Sequence, residues 1–470
     1  MPLVAIFGVV VLLLSITASQ LSPTLGMSWP SSKSMAVLTR LVLLLTLAPV
    51  THAAWTHGLA SHGGALSRRS AVHASAAPAA LDAQRGVEAK KRVLILISDT
   101  GGGHRASAQA VEAAMNEQQH DLDISVVDLW TTHTPFPYNM FVPGYKFAAK
   151  NPLVWSAVYF STEYKPFYSL LNCQGTLICY NGIRKCIEQY APDLVVSMHP
   201  LCQDIPLKVL GDLAKESEAP RIPFATVVTD LGSAHPTWFH PGVDACFIPS
   251  DAVQDVALGS GVAAGQLRQY GLPVRKDFYA EPDVTREALA EQLGVANGRK
   301  TVLVVGGGDG VGSLEDIVGT LATRLGESCR DQAQLVVVCG KNDELRRQLE
   351  SRSYDGVRVH VEGFVSNMPQ WMAVADCLVT KAGPGTIAEA AIQGLPCMLF
   401  FHLPGQEAGN VPFVVDGGFG EYSEEPEVIA QTVCTWLQQP SLLEQMKQRA
   451  LEAAAPQATQ QIAQDLLAMI

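Results

Sequence analysis

The chain has 470 residues, 48% of them hydrophobic, and a formal net charge of −12. That length supports two or three domains with sizeable cores rather than one, and the acidic balance argues against nucleic acid as a partner. Ten scattered cysteines with no Cys-x-x-Cys pair argue against zinc or a dithiol site, and suit a reducing compartment.

The first ninety residues differ from the rest. Residues 1–81 carry only Lys33, Arg40, Arg68 and Arg69 as charged groups, and the first acid is Asp82. Two apolar stretches, Pro2–Ala18 and Met35–Val50, fall short of the ~20 clean residues of a spanning helix. The second ends in Thr51-His52-Ala53-Ala54-Trp55, with small residues placed as at a signal-peptidase site. His57–Ala80, rich in Ser, Ala, His and Arg, reads as a transit peptide. A signal followed by a transit peptide resembles the bipartite presequence of algae with complex plastids; a membrane anchor is the alternative.

From Lys91 onward, apolar β-branched runs alternate with helical segments. Strands are expected at Arg92–Ile97, Ile124–Asp128, Asp193–Met198, Phe224–Thr229, Ala245–Ile248 and Leu267–Tyr270. A second series is expected at Thr301–Val305, Gln334–Cys339, Val357–Val361, Cys377–Thr380 and Pro396–Phe400. Near-continuous apolar strands between helices mean parallel sheets buried on both faces. The fold class is therefore α/β, with two Rossmann-like domains, 91–272 and 273–470, joined at a Gly/Pro-rich linker from Gly271 to Pro282. The last helix is expected to pack back on the first domain. A cleft forms where the strand ends of the two sheets face each other.

Glycine-rich turns stand at three of those ends. Strand Arg92–Ile97 runs through Ser98-Asp99-Thr100-Gly101-Gly102-Gly103-His104-Arg105 into a helix at Ala106–Asn116. Its exposed N–H groups meet the cleft, with His104 either a site residue or a capping histidine. Val305–Gly312 includes Gly307 and Gly308 and binds phosphate or is merely a tight turn. It lacks the GxGxxG spacing with a following acid, which disfavours a dinucleotide. In Thr380–Ala390, Gly383 and Gly385 form a loop and Thr386 is expected to cap a helix ending at Gln393. A pyrophosphate fits that start, at Gly385–Ile387, and Glu389 one turn on can accept from two ribose hydroxyls. Pro404–Asn410 places an amide, Gln406, beside a carboxylate, Glu407, with Asn410 following, which suits a polyhydroxylated ligand.

Residues 130–170 are dense in aromatics, with Lys146, Lys150 and Lys165 interleaved and prolines expected to break regular structure. Rings with lysines suit a lipid headgroup boundary. Phe141, Tyr145, Phe147 and Trp155 are the candidate membrane contacts.

These blocks, with Val195–Pro200, Val228–His240 and Gly271–Arg275, resemble the monogalactosyldiacylglycerol (MGDG) synthases of plastids, relatives of the bacterial glycosyltransferase MurG. The resemblance runs from about Lys91 to the C-terminus. It implies the GT-B fold, with diacylglycerol on the first domain and UDP-galactose on the second. It further implies His104 as catalytic base beside Gly102 and Gly103. Phe364 and Val365 fall at the uracil-contacting position, Thr386 at a phosphate contact, Glu389 at the ribose, and Gln406 and Glu407 at the sugar. Trp238 falls at a position linked to activation by anionic lipids. Lys208–Asp212 lacks the arginine of the plant enzymes, which leaves that activation open.

The expected chemistry is a direct, inverting displacement. His104, near its ordinary pKa of ~6.5, takes the acceptor proton, and the N–H groups at Gly385–Ile387 stabilise the leaving UDP. Asp99 or Asp230 would orient His104. No Asp-x-Asp motif is placed in the cleft, and neither metal nor cofactor is expected. A peripheral, monotopic enzyme of a plastid envelope or thylakoid membrane follows from the resemblance. A glucosyltransferase of the same fold and a non-catalytic lipid- or nucleotide-binding protein remain as alternatives.

Overall fold

The computed structural model describes residues 90–279, 284–306 and 314–470. The presequence reading, and Gly307 and Gly308, lie outside the described residues.

The first half runs β1 (Lys91–Ile97), α1 (Gly102–Gln118), β2 (Leu122–Asp128), α2 (Leu129–His133), α3 (Phe141–Ala149), α4 (Pro152–Glu163), α5 (Lys165–Tyr190) and β3 (Leu194–Ser197). It continues through α6 (Asp204–Ser217), β4 (Phe224–Val227), β5 (Ala245–Ile248), α7 (Asp251–Gly259) and β6 (Leu267–Gln269). The second half runs α8 (Arg286–Gln292), β7 (Lys300–Val305), α9 (Leu314–Ser328), β8 (Ala333–Val338), α10 (Asp343–Glu350), β9 (Arg358–Glu362) and α11 (Met368–Val374). Then come β10 (Cys377–Lys381), α12 (Pro384–Ile392), β11 (Cys397–Phe401), α13 (Asn410–Val415), β12 (Gly420–Tyr422), α14 (Pro426–Gln438), α15 (Pro440–Ala453) and α16 (Ala458–Leu467).

Among the described residues the strands form two six-stranded sheets, ordered β2-β1-β3-β4-β5-β6 and β12-β11-β10-β7-β8-β9, with neighbouring strands parallel. The continuous apolar runs explain this. In β1, Val93, Ile95 and Ile97 face α1 and α16, while Leu94 and Leu96 face the opposite layer, packed with Cys179, Ile183 and Leu207. Side chains alternate across a strand, so a strand apolar at every position needs helices on both sides. In the second sheet Val302 and Val304 serve one core, Leu303 and Val305 the other.

The two halves are tied through the chain after β6. Leu272, Val274 and Phe278 already belong to the second half's core. Helix α16 crosses back onto α1, and Ile462 and Leu466 fill the core beside Val93 and Ile95. Thr459 Oγ1 holds the backbone of Val274 on both sides, accepting from its N–H at 2.9 Å and donating to its carbonyl at 2.7 Å.

Three local expectations are corrected. Helix α1 begins at Gly102, so His104 stands inside its first turn. Gly383, not Thr386, is the N-cap of α12, and Thr386 lies in the first turn with no capping bond from its side chain. Most of the proline-punctuated region 130–170 is helical: Pro135 and Pro137 stand in the break after α2, but Pro152 and Pro166 occupy the first turns of α4 and α5, where the missing N–H costs nothing.

Candidate active site

Each sheet presents a glycine turn at the end of a central strand. A side chain built at Gly102, Gly103 or Gly385 would meet no atom within 4 Å, so both turns open onto free space. The two strand-end regions meet directly. The backbones of Gly232 and Gly409 pass so close that a Cβ on Gly232 would lie 2.0 Å from the Gly409 carbonyl oxygen. Only glycine permits that approach. Beside it, the Gly232 N–H donates to Asn410 Oδ1 at 2.7 Å, and Ser233 Oγ donates to the Gln406 carbonyl at 3.3 Å.

On the first half, His104 is half-buried in α1. Its Nδ1 lies 2.8 Å from Thr229 Oγ1, and the edge of His199 packs against its ring at 4.8 Å. Burial lowers the His104 pKa to about 4, only partly opposed by a hydrogen bond to the Met198 backbone and by the charge of Asp99. The expected value near 6.5 is thereby corrected: desolvation outweighs any stabilisation of the imidazolium. His199 is likewise held well below the ordinary range, by burial and then by His104. His199 Nδ1 accepts from the Leu201 N–H at 3.2 Å, which assigns its hydrogen to Nε2, 3.4 Å from Thr100 Oγ1.

Neither aspartate hydrogen-bonds His104. Both oxygens of Asp99 accept from Arg105, at 2.7 and 2.6 Å. Asp230 Oδ2 accepts from Trp238 Nε1 at 2.6 Å. Burial pushes the Asp230 carboxyl up to about 7, opposed by the Trp238 bond, assisted by the charge of Glu407 and opposed by a hydrogen bond to Gln406. Trp238 is fully buried, its ring 6.0 Å from that of His104. Direct contact between this indole and a lipid headgroup is therefore ruled out, because its ring is enclosed and its N–H is committed.

On the second half, Glu407 is buried and committed. One carboxylate oxygen pairs with Lys381 and the other accepts from the Leu403 N–H at 2.9 Å. The Lys381 ammonium lies over Gly383, where a Cβ would sit 3.5 Å from Nζ. That places a cation at the N-terminus of α12, the end that favours anions. Asn410 is also committed: Nδ2 donates to the Ala382 carbonyl at 2.8 Å while Oδ1 takes the Gly232 N–H, so it braces the glycine loop. Gln406 reaches Asp230 and Tyr145. Glu389 is half-buried and pushed up to about 7 by burial, with Arg275 pulling it back. Phe364, just past β9, is 70% exposed with Lys341 over its ring at 5.8 Å, and Val365 packs on the core beneath.

The aromatic segment divides. Phe141 packs on Trp130 and His199, Tyr145 donates from its hydroxyl to Gln406 Oε1 at 3.4 Å, and Trp155 Nε1 donates to the Pro404 carbonyl at 3.0 Å. These three rings are half-buried and engaged with protein partners, whereas Phe147 is exposed. Sequence reasoning missed Thr229, His199 and Lys381 as site residues. A usable signal existed: each stands at the C-terminal end of a parallel strand, where ligand sites of such sheets collect.

The MGDG synthase family matches residues 104–274, and the glycosyltransferase family 28 C-terminal domain matches residues 301–464. A probable MGDG synthase, chloroplastic, of Glycine max is 41% identical over 392 residues, covering 81% of this chain and 72% of its own. MGDG synthase 2, chloroplastic, of Arabidopsis thaliana is 39% identical over 389 residues, covering 82% of each. This chain belongs to the MGDG synthase family. Among solved structures, Acinetobacter baumannii MurG aligns with a TM-score of 0.50 at 17% identity, covering 80% of this chain and 99% of that one. A Neisseria meningitidis UDP-GlcNAc 2-epimerase bound to UDP-GlcNAc aligns at 0.51 and 14%, covering 80% and 100%. These likenesses identify the fold as GT-B. No helix among the described residues of this MGDG synthase homologue is long and apolar enough to cross a membrane.

Proposed function

We propose that this chain transfers galactose from UDP-galactose to the free hydroxyl of 1,2-diacylglycerol with inversion, giving monogalactosyldiacylglycerol. The observation that carries the reading is the meeting of the His104 pocket with the Gln406 loop across one cleft, in a chain of this family.

The acceptor hydroxyl attacks the anomeric carbon as its proton passes to His104. With Nδ1 engaged by Thr229, Nε2 is the nitrogen left for that proton. A pKa of about 4 keeps the ring neutral, and so able to accept, at any physiological pH. The new C–O bond forms opposite the bond to UDP, whose electron pair departs with the diphosphate. Charge growing there meets the N–H groups of Gly385–Ile387, Thr386 and the Lys381 ammonium. The uracil stacks near Phe364 and Val365, with the ribose on Glu389. Gln406 meets the galactose, and Glu407 does so only after exchanging Lys381.

The enzyme docks on the membrane through the outer surface of α3–α5. Phe147, Leu153, Phe160 and Leu177 are exposed there, Leu153 at 87% and Leu177 at 80%, beside Lys146, Lys150 and Lys165. Apolar side chains with lysines fit an interface bearing anionic lipid, and activation by such lipid acts at this face rather than at Trp238. The chloroplastic relatives support a plastid membrane, reached through the endoplasmic reticulum if residues 1–90 are a signal with a transit peptide. The test is turnover of diacylglycerol in mixed micelles with UDP-galactose against UDP-glucose, reading linkage by NMR. A β-galactoside is expected; a strong preference for UDP-glucose, or no turnover with either, overturns the reading.

A further inference from the structure

Helix α4 has two working faces. Trp155, Tyr159 and Thr162, spaced i, i+4 and i+7, share one side; Leu153 and Phe160, seven apart, share the opposite side. The inner face is fixed on both halves of the molecule. Trp155 Nε1 donates to the Pro404 carbonyl at 3.0 Å, the Tyr159 ring packs against Gly405, and Thr162 Oγ1 lies 3.2 Å from His235 Nε2. A Cβ on Gly405 would fall 2.4 Å from the Tyr159 ring, and Gly405 has φ +77°. Helix α3 repeats the arrangement. Phe141 and Tyr145 face inward, onto His199 and Gln406, while Lys146, Phe147 and Lys150 are exposed. Tyr145 and Trp155 also pack edge to face, ring centres 5.1 Å apart, which joins the inner faces of the two helices.

The outer faces bear the exposed apolar groups and lysines, and the inner faces hold the loop 404–406. The same two helices thus carry both the exposed side chains and the groups that hold the loop bearing Gln406. We propose that Tyr145 and Trp155 are positioning residues through which docking of α3–α4 on a lipid surface sets the Pro404–Gln406 loop for the sugar of the donor. The proposal rests on the membrane-facing reading given above. It needs a lipid surface and no separate lipid-binding pocket. A helix pair ordered on the membrane no longer has to be ordered by the donor, so each event makes the other more favourable.

The effect belongs mainly to the sugar, since Gln406 is the residue of this loop that the proposed function places against the galactose. For the whole protein, calorimetry should show that phosphatidylcholine vesicles with phosphatidylglycerol, lacking diacylglycerol, tighten UDP-galactose binding about 5- to 10-fold, a coupling of ordinary size. UDP binding should change less than about 2-fold. Reciprocity requires UDP-galactose to tighten vesicle binding by the same factor, a measurement that needs no variant. Tyr145→Phe with Trp155→Phe keeps an aromatic ring, though a smaller one at 155, at each position and deletes both hydrogen bonds. This variant should still bind vesicles but lose the coupling. Its KM for UDP-galactose on vesicles should rise several-fold while kcat changes little. If the wild type binds vesicles yet its donor affinity ignores them, or if the variant keeps the full coupling, the inference fails while the membrane face stands. If the wild type does not sediment with vesicles at all, the membrane face falls and the inference with it.

Discussion

Asp230→Asn should stabilise the protein, and more so at higher pH. Asp230 is 5% exposed, and burial raises its carboxyl from 3.8 to about 7. A carboxyl shifted upward keeps its proton in the folded state after the unfolded chain has released it. Stability from this site is therefore highest in acid, declines between about pH 4 and pH 7, and is flat above. A shift from 3.8 to about 7 corresponds to about 4 kcal/mol by pH 8, since one pKa unit is worth about 1.4 kcal/mol. Asparagine never ionises, and its side-chain oxygen can still accept from Trp238 Nε1. Urea unfolding of variant and wild type, each followed by tryptophan fluorescence from pH 4.5 to pH 8, gives the difference directly. It should be near zero at the acid end and grow to a few kcal/mol at the alkaline end. A difference that is constant with pH, or a variant less stable at pH 8, would refute the reasoning.

Other expectations can be checked alongside it. His104→Ala should lower turnover by about 10²–10⁴, with UDP affinity by calorimetry nearly unchanged; near-normal turnover would make His104 a turn residue only. Glu389 releases its proton near pH 7, so wild-type UDP binding should tighten from pH 6 to pH 8. In Glu389→Gln that pH dependence should vanish, with a loss on the order of 1.5–3 kcal/mol at pH 8. Lys381→Met combined with Glu407→Gln, which avoids leaving one charge buried alone, should lower kcat by roughly 10²–10³; an unchanged kcat would remove Lys381 from the leaving-group site. Leu153→Ser with Phe160→Ser should weaken vesicle sedimentation by roughly tenfold or more, since each group is worth on the order of 1.5–3 kcal/mol when taken out of water.

The fold was legible because its signal is dense. A strand such as Val93–Ile97, apolar at every position, is compatible with little besides a parallel sheet covered on both faces, and the Gly/Pro run after Tyr270 marks where one sheet stops. Strand β12 escaped because three residues, Gly420–Tyr422, carry no period. The site was legible as blocks and not as partners. His104 and Thr229 are 125 residues apart, and only the β1-β3-β4 order brings them together. Composition could not sort the aromatics of 130–170 either, since Trp155 and Phe160 look alike in a list and face opposite ways on one helix.

The distribution of charge across the cleft has a physical logic that ties these observations together. On the first half, burial holds His104 and His199 neutral and keeps the proton on Asp230 up to about pH 7. An uncharged wall lowers the cost of admitting a glycerol backbone with two ester groups, which brings no charge to compensate one. On the second half the charges are present but paired, Lys381 with Glu407 at the start of α12. A diphosphate seated at that helix start, as proposed above, would offer the ammonium a second anionic partner. The pair keeps the buried Glu407 carboxylate, which would otherwise stand alone, tolerable.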